Sequence, residues 1–420
     1  MADAGNRGFL KRAHTALIYL GGIYAGAIIL LMTPGFQRQV LFMHALRFPL
    51  NANYDLPERY GLAPGKTLNL NLTTPDDVRL GAWFVAADGF YQQNLKSLPP
   101  TKATQSSENE DSRASPDHPA TYDPRQKLAS LLPLALQTHP TVLFFHGNAM
   151  TRAFHYRTRL YSTLTSRLNA NVLAIDYRGF GDSEGTPSEQ GLLLDARTAW
   201  DWLIENGAKQ EHITIVGQSL GTGVSTGLAA ELSEEGISPR GVVLLAPYSS
   251  IPKLLETYNF GGKLPLLQPL QSFRFVFELV MKFVRHRFDS LSIINDITCP
   301  ITIIHAEDDW DIPVSHAKAL FDSLLEPLLP AYPFDPNEMF LGKVSHSEVV
   351  ESIEKRNARR NAVVAVKEVD GLGTIRQFER EEDKGSVVML ETSWGEHNGI
   401  GEIEGVIDVI GWSVGLDERD

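Results

Sequence analysis

The stretch ITIVGQSLGTGVS, residues 213–225, runs from an apolar, β-branched segment into a helical pattern, with Ser219 at the join and glycines at 217 and 221. A serine in so tight a turn is forced towards a strained backbone. Glycines two residues to either side let the helix pass close to the strand without a Cβ clash. The expected product is a hydroxyl projecting from the end of a strand, a candidate nucleophile. Such a hydroxyl needs a base, and the base needs a carboxylate to orient it. The segment HAEDDWDIP carries Glu307, Asp308, Asp309 and Asp311 just after an apolar run, and GEHN places His397 in a loop after the last such run. Ser219, Asp309 and His397 then follow three separate strands in the order nucleophile, acid, histidine. His316 falls inside a helical pattern and His346 inside a charged stretch, so His397 is the expected base and Asp309 the expected acid. In FFHGNAM, residues 144–150, the backbone N–H of Asn148 can join that of Leu220 in facing a developing oxyanion. The chemistry implied is acyl transfer. His397 takes the Ser219 proton, Ser219 attacks an ester carbonyl, and water later releases the acyl group.

Elements able to position these groups are visible in the hydrophobic pattern. TVLFFHG, NVLAIDY, ITIVG, GVVLLAP, PITIIHA and SVVMLET are short buried-strand runs, most of them separated by helical patterns. That alternation predicts an α/β fold with a mostly parallel sheet covered by helices on both faces, its site at the carboxyl ends of the strands. KTLNLNLTT and VRLGAWFVA, earlier in the chain, read as an antiparallel hairpin. The Ser-, Pro- and acid-rich residues 101–127 cannot bury enough surface to order themselves and are expected to be a disordered insertion. Residues 251–297 and the highly charged 326–385 interrupt the alternation, the first as a helical cap. Within it, FRFVFELVMKFVRHRF (273–288) predicts one helix with an apolar stripe of Phe273, Phe277, Val280, Met281, Val284 and Phe288. Asp176 and Asp182, in DYRGFGDSEG, are expected to form turns.

Composition bounds the rest. The chain has 420 residues, 43% of them hydrophobic, and a net charge of −13, which disfavours a nucleic-acid partner. The single cysteine, Cys299, excludes an internal disulfide framework and a cysteine-rich zinc site; no metal or cofactor is expected. No Asp, Glu, Lys or Arg occurs from Ala13 to Gln37, a run long enough to span a bilayer. Its flanking cations predict a cytosolic tail (1–12), an uncleaved signal anchor (13–35) and a luminal body, in which Asn71 stands in a glycosylation sequon. Residues 36–100 form a linker and first strands, and 128–415 the main domain.

HGNA, DYRGFGDSEGTPSE, GQSLGTGV, HAEDDWDIP and GEHN together resemble the membrane-anchored α/β-hydrolase domain proteins of the serine hydrolase superfamily. The branch most similar contains lysophosphatidylserine and monoacylglycerol lipases of the endoplasmic reticulum. The resemblance implies an α/β-hydrolase fold, Ser219, Asp309 and His397 as catalytic residues, and Asn148 and Leu220 as oxyanion donors. It implies a lipid ester substrate, monoacylglycerol or lysophospholipid, taken at the bilayer beneath a cap built after the sixth strand. Arg285 and Arg287, cationic residues in an acidic protein, are the expected contacts to a phosphate headgroup. The same parts would serve a protein-acyl thioesterase, and a non-catalytic membrane adaptor on this fold is the alternative of a different class.

Overall fold

A computed structural model describes residues 2–96, 124–260, 264–265, 267–335, 343–381 and 384–416. Twelve strands form: β1 Thr67–Thr73, β2 Arg79–Val85, β3 Thr141–Phe145, β4 Asn171–Ile175, β5 Ile213–Gln218, β6 Gly241–Leu245, β7 Asn259–Phe260, β8 Leu264–Pro265, β9 Ile301–Ala306, β10 Ala365–Val369, β11 Gly373–Glu379 and β12 Ser386–Thr392. Ten build one sheet in the order β1-β2-β4-β3-β5-β6-β9-β12-β11-β10, while β7 and β8 form a separate two-residue ribbon. The six runs expected as buried strands are β3, β4, β5, β6, β9 and β12, and every pairing among them is parallel. Register levels their ends: Phe145 pairs with Gly217, Gln218 with Leu245, and Ala306 with Thr392. Loops leaving β3, β5, β9 and β12 therefore open side by side at one edge of the sheet.

Alternate residues of each parallel strand feed two separate cores. Leu143, Phe145, Ile215 and Leu244 pack on one face with Leu192, Leu228 and Leu320 from three helices. Val142, Phe144, Val216 and Leu245 pack on the other with Leu160, Leu164 and Ile407. This period-2 sorting is what a sheet buried on both sides requires.

Three segments depart from expectation. The charged stretch 326–385 extends the sheet: a capped helix, His346–Val363, leads into β10 and β11, which add antiparallel strands beside β12. Many of its charges sit on exposed positions, as β10 shows with four of five residues exposed, though Arg356 is buried; the pattern carried too little apolar alternation to read as strand. Residues 101–123 of the expected disordered insertion lie outside the described residues, and its last four open the helix Pro124–Thr138. The predicted helix 273–288 is real only over Arg274–Lys282. Gln37 ends it. Its amide donates to the Phe283 carbonyl at 2.7 Å and accepts from Arg285 N at 3.1 Å, taking bonds the helix would have used. Val284 and Phe288 therefore leave the helical stripe.

The N-terminal helix Ala2–Leu31 contains an apolar span, Lys11–Leu31, long enough to cross a membrane. A second helix, Pro34–Phe42, follows at once. The last turns of the long helix meet the cap: Ile28, Val280 and Leu267 are buried together, with Tyr24, Leu31, Met32, Phe277 and Met281 around them.

Candidate active site

Ser219 follows β5 directly and caps the helix Leu220–Glu234 with φ 51° and ψ −120°, a conformation that residues other than glycine rarely adopt. Its N–H bonds Leu245 O at 2.9 Å, anchoring the turn to β6. The flanking glycines are obligatory. A Cβ on Gly217 would lie 2.3 Å from Gly221 O, and one on Gly221 would lie 2.0 Å from Phe145 O. The elbow is thus closed on β3 as tightly as a backbone permits.

His397 bridges the other two groups. Its Nε2 lies 2.9 Å from Ser219 Oγ and its Nδ1 lies 2.8 Å from Asp309 Oδ2. Asp309 Oδ1 accepts from the N–H groups of Asp311 and Ile312, both at 2.9 Å. Burial alone would raise this carboxyl's pKa. Hydrogen bonds from His305 and His397, the His397 charge and the Ile312 N–H outweigh it and hold Asp309 well below the usual carboxylate range. Asp309 therefore stays an anion and keeps the His397 proton on Nδ1, leaving Nε2 free to take the serine proton. Of the neighbouring acids, Asp308 instead positions the histidine loop, accepting from Glu396 N at 2.8 Å and Gly395 N at 3.3 Å.

The candidate oxyanion loop follows β3. A Cβ on Gly147 would lie 3.2 Å from Ser219 Cβ, so the loop borders the nucleophile. Ala149 N and Met150 N donate to Phe42 O and Leu46 O at 2.9 and 2.7 Å. Among the described residues the N–H of Asn148 has no protein acceptor. Leu220 is the first residue of its helix, where the N–H lacks an intrahelical partner. Both predicted donors are free.

The other histidines are elsewhere. His316 is buried, with Nδ1 2.9 Å from Ser249 Oγ, and His346 starts an exposed helix. Arg285 and Arg287 are exposed, joined to the body through their backbone N–H groups (Arg287 N donates to Glu189 at 2.6 Å), and lie outside the triad's hydrogen-bond network. Asp176 is no turn former. It is fully buried, bonding Arg152 N at 2.7 Å and Arg152 Nη1 at 2.6 Å, while Asp182 binds the same guanidinium. His305, which touches both Asp309 Oδ2 (3.2 Å) and Ile312 O (2.8 Å), carries no signal in the sequence beyond its place four residues before the acid.

Residues 142–391 match the Alpha/beta hydrolase family. The lysophosphatidylserine lipase ABHD12 of Danio rerio is 31% identical over 75% of this chain and 73% of its own length. That of Bos taurus is 29% identical over 76% and 74%. Among solved structures, an alpha-beta hydrolase from Vibrio vulnificus covers 91% of this chain and 94% of its own at 15% identity, with a TM-score of 0.51, and supports the fold. With sheet order, elbow and matched segment in agreement, the chain belongs to the alpha/beta hydrolase family.

Proposed function

We propose that this protein is a membrane-anchored serine hydrolase that cleaves the carboxylic ester of a lysophospholipid or monoacylglycerol. The observation that carries the reading is the Ser219–His397–Asp309 relay, at 2.9 and 2.8 Å, hung on a strained elbow. His397 Nε2 accepts the Ser219 proton as Oγ attacks the ester carbonyl. The N–H groups of Asn148 and Leu220 receive the oxyanion, and His397 then protonates the departing alcohol. Water repeats the cycle on the acyl-enzyme, with Asp309 holding the imidazole tautomer throughout.

The substrate class is supported by the relatives' names and by the cap. Phe275, on the helix Arg274–Lys282, is 80% exposed, and Phe273 and Phe283 at its two ends are 65% and 47% exposed, while its Phe277, Val280 and Met281 pack against the end of the apolar N-terminal span. Aromatic side chains beside a membrane anchor suit a bilayer surface from which an acyl chain is drawn. In this reading Arg285 and Arg287 meet a phosphate headgroup. The body faces the lumen of the endoplasmic reticulum, and the exposed Asn71 accepts a glycan.

The test is fluorophosphonate labelling of the full chain in membranes, together with release of fatty acid from lysophosphatidylserine. Labelling and turnover in the wild type, both lost in Ser219→Ala and His397→Ala, are expected. A labelled wild type that leaves lipids intact but deacylates an acyl-cysteine peptide would assign a thioesterase instead. An unlabelled wild type would leave the adaptor.

A further inference from the structure

Arg157 is buried in the first turn of the helix His155–Arg167, and no carboxylate lies within ion-pair distance of it among the described residues. Both facts are unfavourable: a buried cation needs compensation, and a helix N-terminus repels positive charge. Its Nη1 is buried without a partner. What it does touch is the oxyanion loop. Nη2 donates to the carbonyls of Gly147, Asn148 and Ala149 at 3.1, 3.3 and 2.9 Å.

These contacts decide where one N–H points. In a trans peptide the N–H lies opposite the preceding C=O. Gly147 O is held on both lone pairs, by Arg157 Nη2 and by His146 Nδ1 at 2.7 Å. The Gly147–Asn148 peptide plane is therefore fixed, with the Asn148 N–H directed away from Arg157. The loop would not hold this shape unaided, since Ala149 and Met150 have φ of 54° and 57°, left-handed values that strain non-glycine residues. Phe42 O and Leu46 O occupy the N–H groups of Ala149 and Met150, while the Asn148 N–H has no protein acceptor among the described residues.

We infer that Arg157 is a positioning residue for the oxyanion hole, gripping three consecutive carbonyls so that the Asn148 N–H meets the transition state. Burial pushes the Arg157 pKa down, and arginine suits the place because its planar fork presents several N–H donors to the carbonyls at once. The inference rests on the ester-hydrolase reading. If that reading fails, the wild type shows no turnover; if this one fails, the wild type turns over and the variants report it.

The experiment uses full-length Arg157→Lys and Arg157→Gln in detergent, with kcat expressed per Ser219 site titrated by exhaustive fluorophosphonate labelling, so that unfolded protein does not count. Two inhibitors separate the roles: a trifluoromethyl ketone lipid analogue, whose hemiketal oxygen occupies the oxyanion hole, and an ether-linked lysophospholipid, which has no carbonyl. Loss of one oxyanion donor lowers kcat on the order of 10²–10³-fold, and imperfect aiming should cost a large part of that. The expected result is a kcat drop of about 10-fold or more, KM within about threefold, a weaker trifluoromethyl ketone Ki by the same factor as kcat/KM, and an unchanged ether Ki. Unchanged kcat, equal weakening of both inhibitors, or a kcat drop with an unchanged ketone Ki would each overturn the inference. Absence of titratable sites from both variants would also overturn it, assigning Arg157 to stability alone.

Discussion

Asp309→Asn tests the electrostatics of the triad with almost no change of shape. The outcome follows from which way the new amide faces. Asp309 Oδ1 accepts from the N–H groups of Asp311 and Ile312, each at 2.9 Å, and those donors do not move. An amide NH2 turned towards them would leave two buried donors unsatisfied, about 1–3 kcal/mol each. Even at the lower end, about 2 kcal/mol in all, the other orientation is favoured roughly 30-fold. The amide oxygen therefore stays on the loop and the NH2 faces His397 Nδ1, 2.8 Å away in the wild type. That nitrogen must then accept, which moves the imidazole proton to Nε2, opposite Ser219 Oγ, where it blocks general-base action. Enzymes whose triad is forced into this tautomer lose kcat by about 10⁴, or roughly 5.5 kcal/mol of barrier. The assay is initial-rate hydrolysis of lysophosphatidylserine, with thermal melting to confirm the fold. A variant within tenfold of wild type, melting normally, would refute the claim that Asp309 sets the tautomer.

Four further outcomes follow from the geometry. Gly221→Ala should destabilise the fold by about 1–3 kcal/mol or more and abolish labelling, because its Cβ would lie 2.0 Å from Phe145 O; denaturant unfolding reads the first and fluorophosphonate the second. Burial, with the Arg157 charge second, lowers the His146 pKa to about 4, and burial likewise lowers His316 to about 4, against 6.5 in the unfolded chain. Their contribution is complete above pH 6.5 and is lost as pH falls towards 4, about 2 kcal/mol per histidine at pH 5, so denaturation midpoints should drop between pH 7 and pH 5 and drop less in His316→Gln. Arg285→Ala/Arg287→Ala should lower turnover of lysophosphatidylserine more than that of monoacylglycerol, and an equal fall on both substrates would remove the headgroup role. Glycosidase treatment of native membranes should shift the protein's mobility, Asn71→Gln should abolish the shift, and an unshifted wild-type band would count against a luminal body.

The parallel core was legible because its strands announce themselves. A strand buried on both faces is apolar at most positions, and β3, β4, β5, β6, β9 and β12 are short runs dominated by aliphatic and aromatic residues. The elbow was legible for a similar local reason, since the close approach of helix and strand leaves glycine no substitute at 217 and 221. β10 was hidden because it is the edge strand, with four of five residues exposed, where almost any polar residue is tolerated; β11, inside the sheet between β12 and β10, buries only Ile375 and Phe378 among polar and part-exposed neighbours, too sparse a pattern to read as strand. The end of the cap helix was hidden for another reason: the group that stops it, Gln37, lies 246 residues away from Phe283.

Residue type and chain order singled out Ser219 and His397 and narrowed the acid to the carboxylates of HAEDDWDIP, with Asp309 preferred; the fold brings Ser219 and Asp309 within hydrogen-bond reach of His397. Type and order could not say that Asp308 holds the histidine loop while Asp309 faces the imidazole, because adjacent carboxylates differ only in which direction the backbone sends them. Nor could they separate Arg157 from thirty-seven other cations. Its part depends on three carbonyls converging within 3.3 Å of one nitrogen, and a backbone oxygen leaves no mark in the sequence. Local chemistry wrote the candidate catalytic groups into the chain; their aim was decided by contacts between segments that only folding brings together.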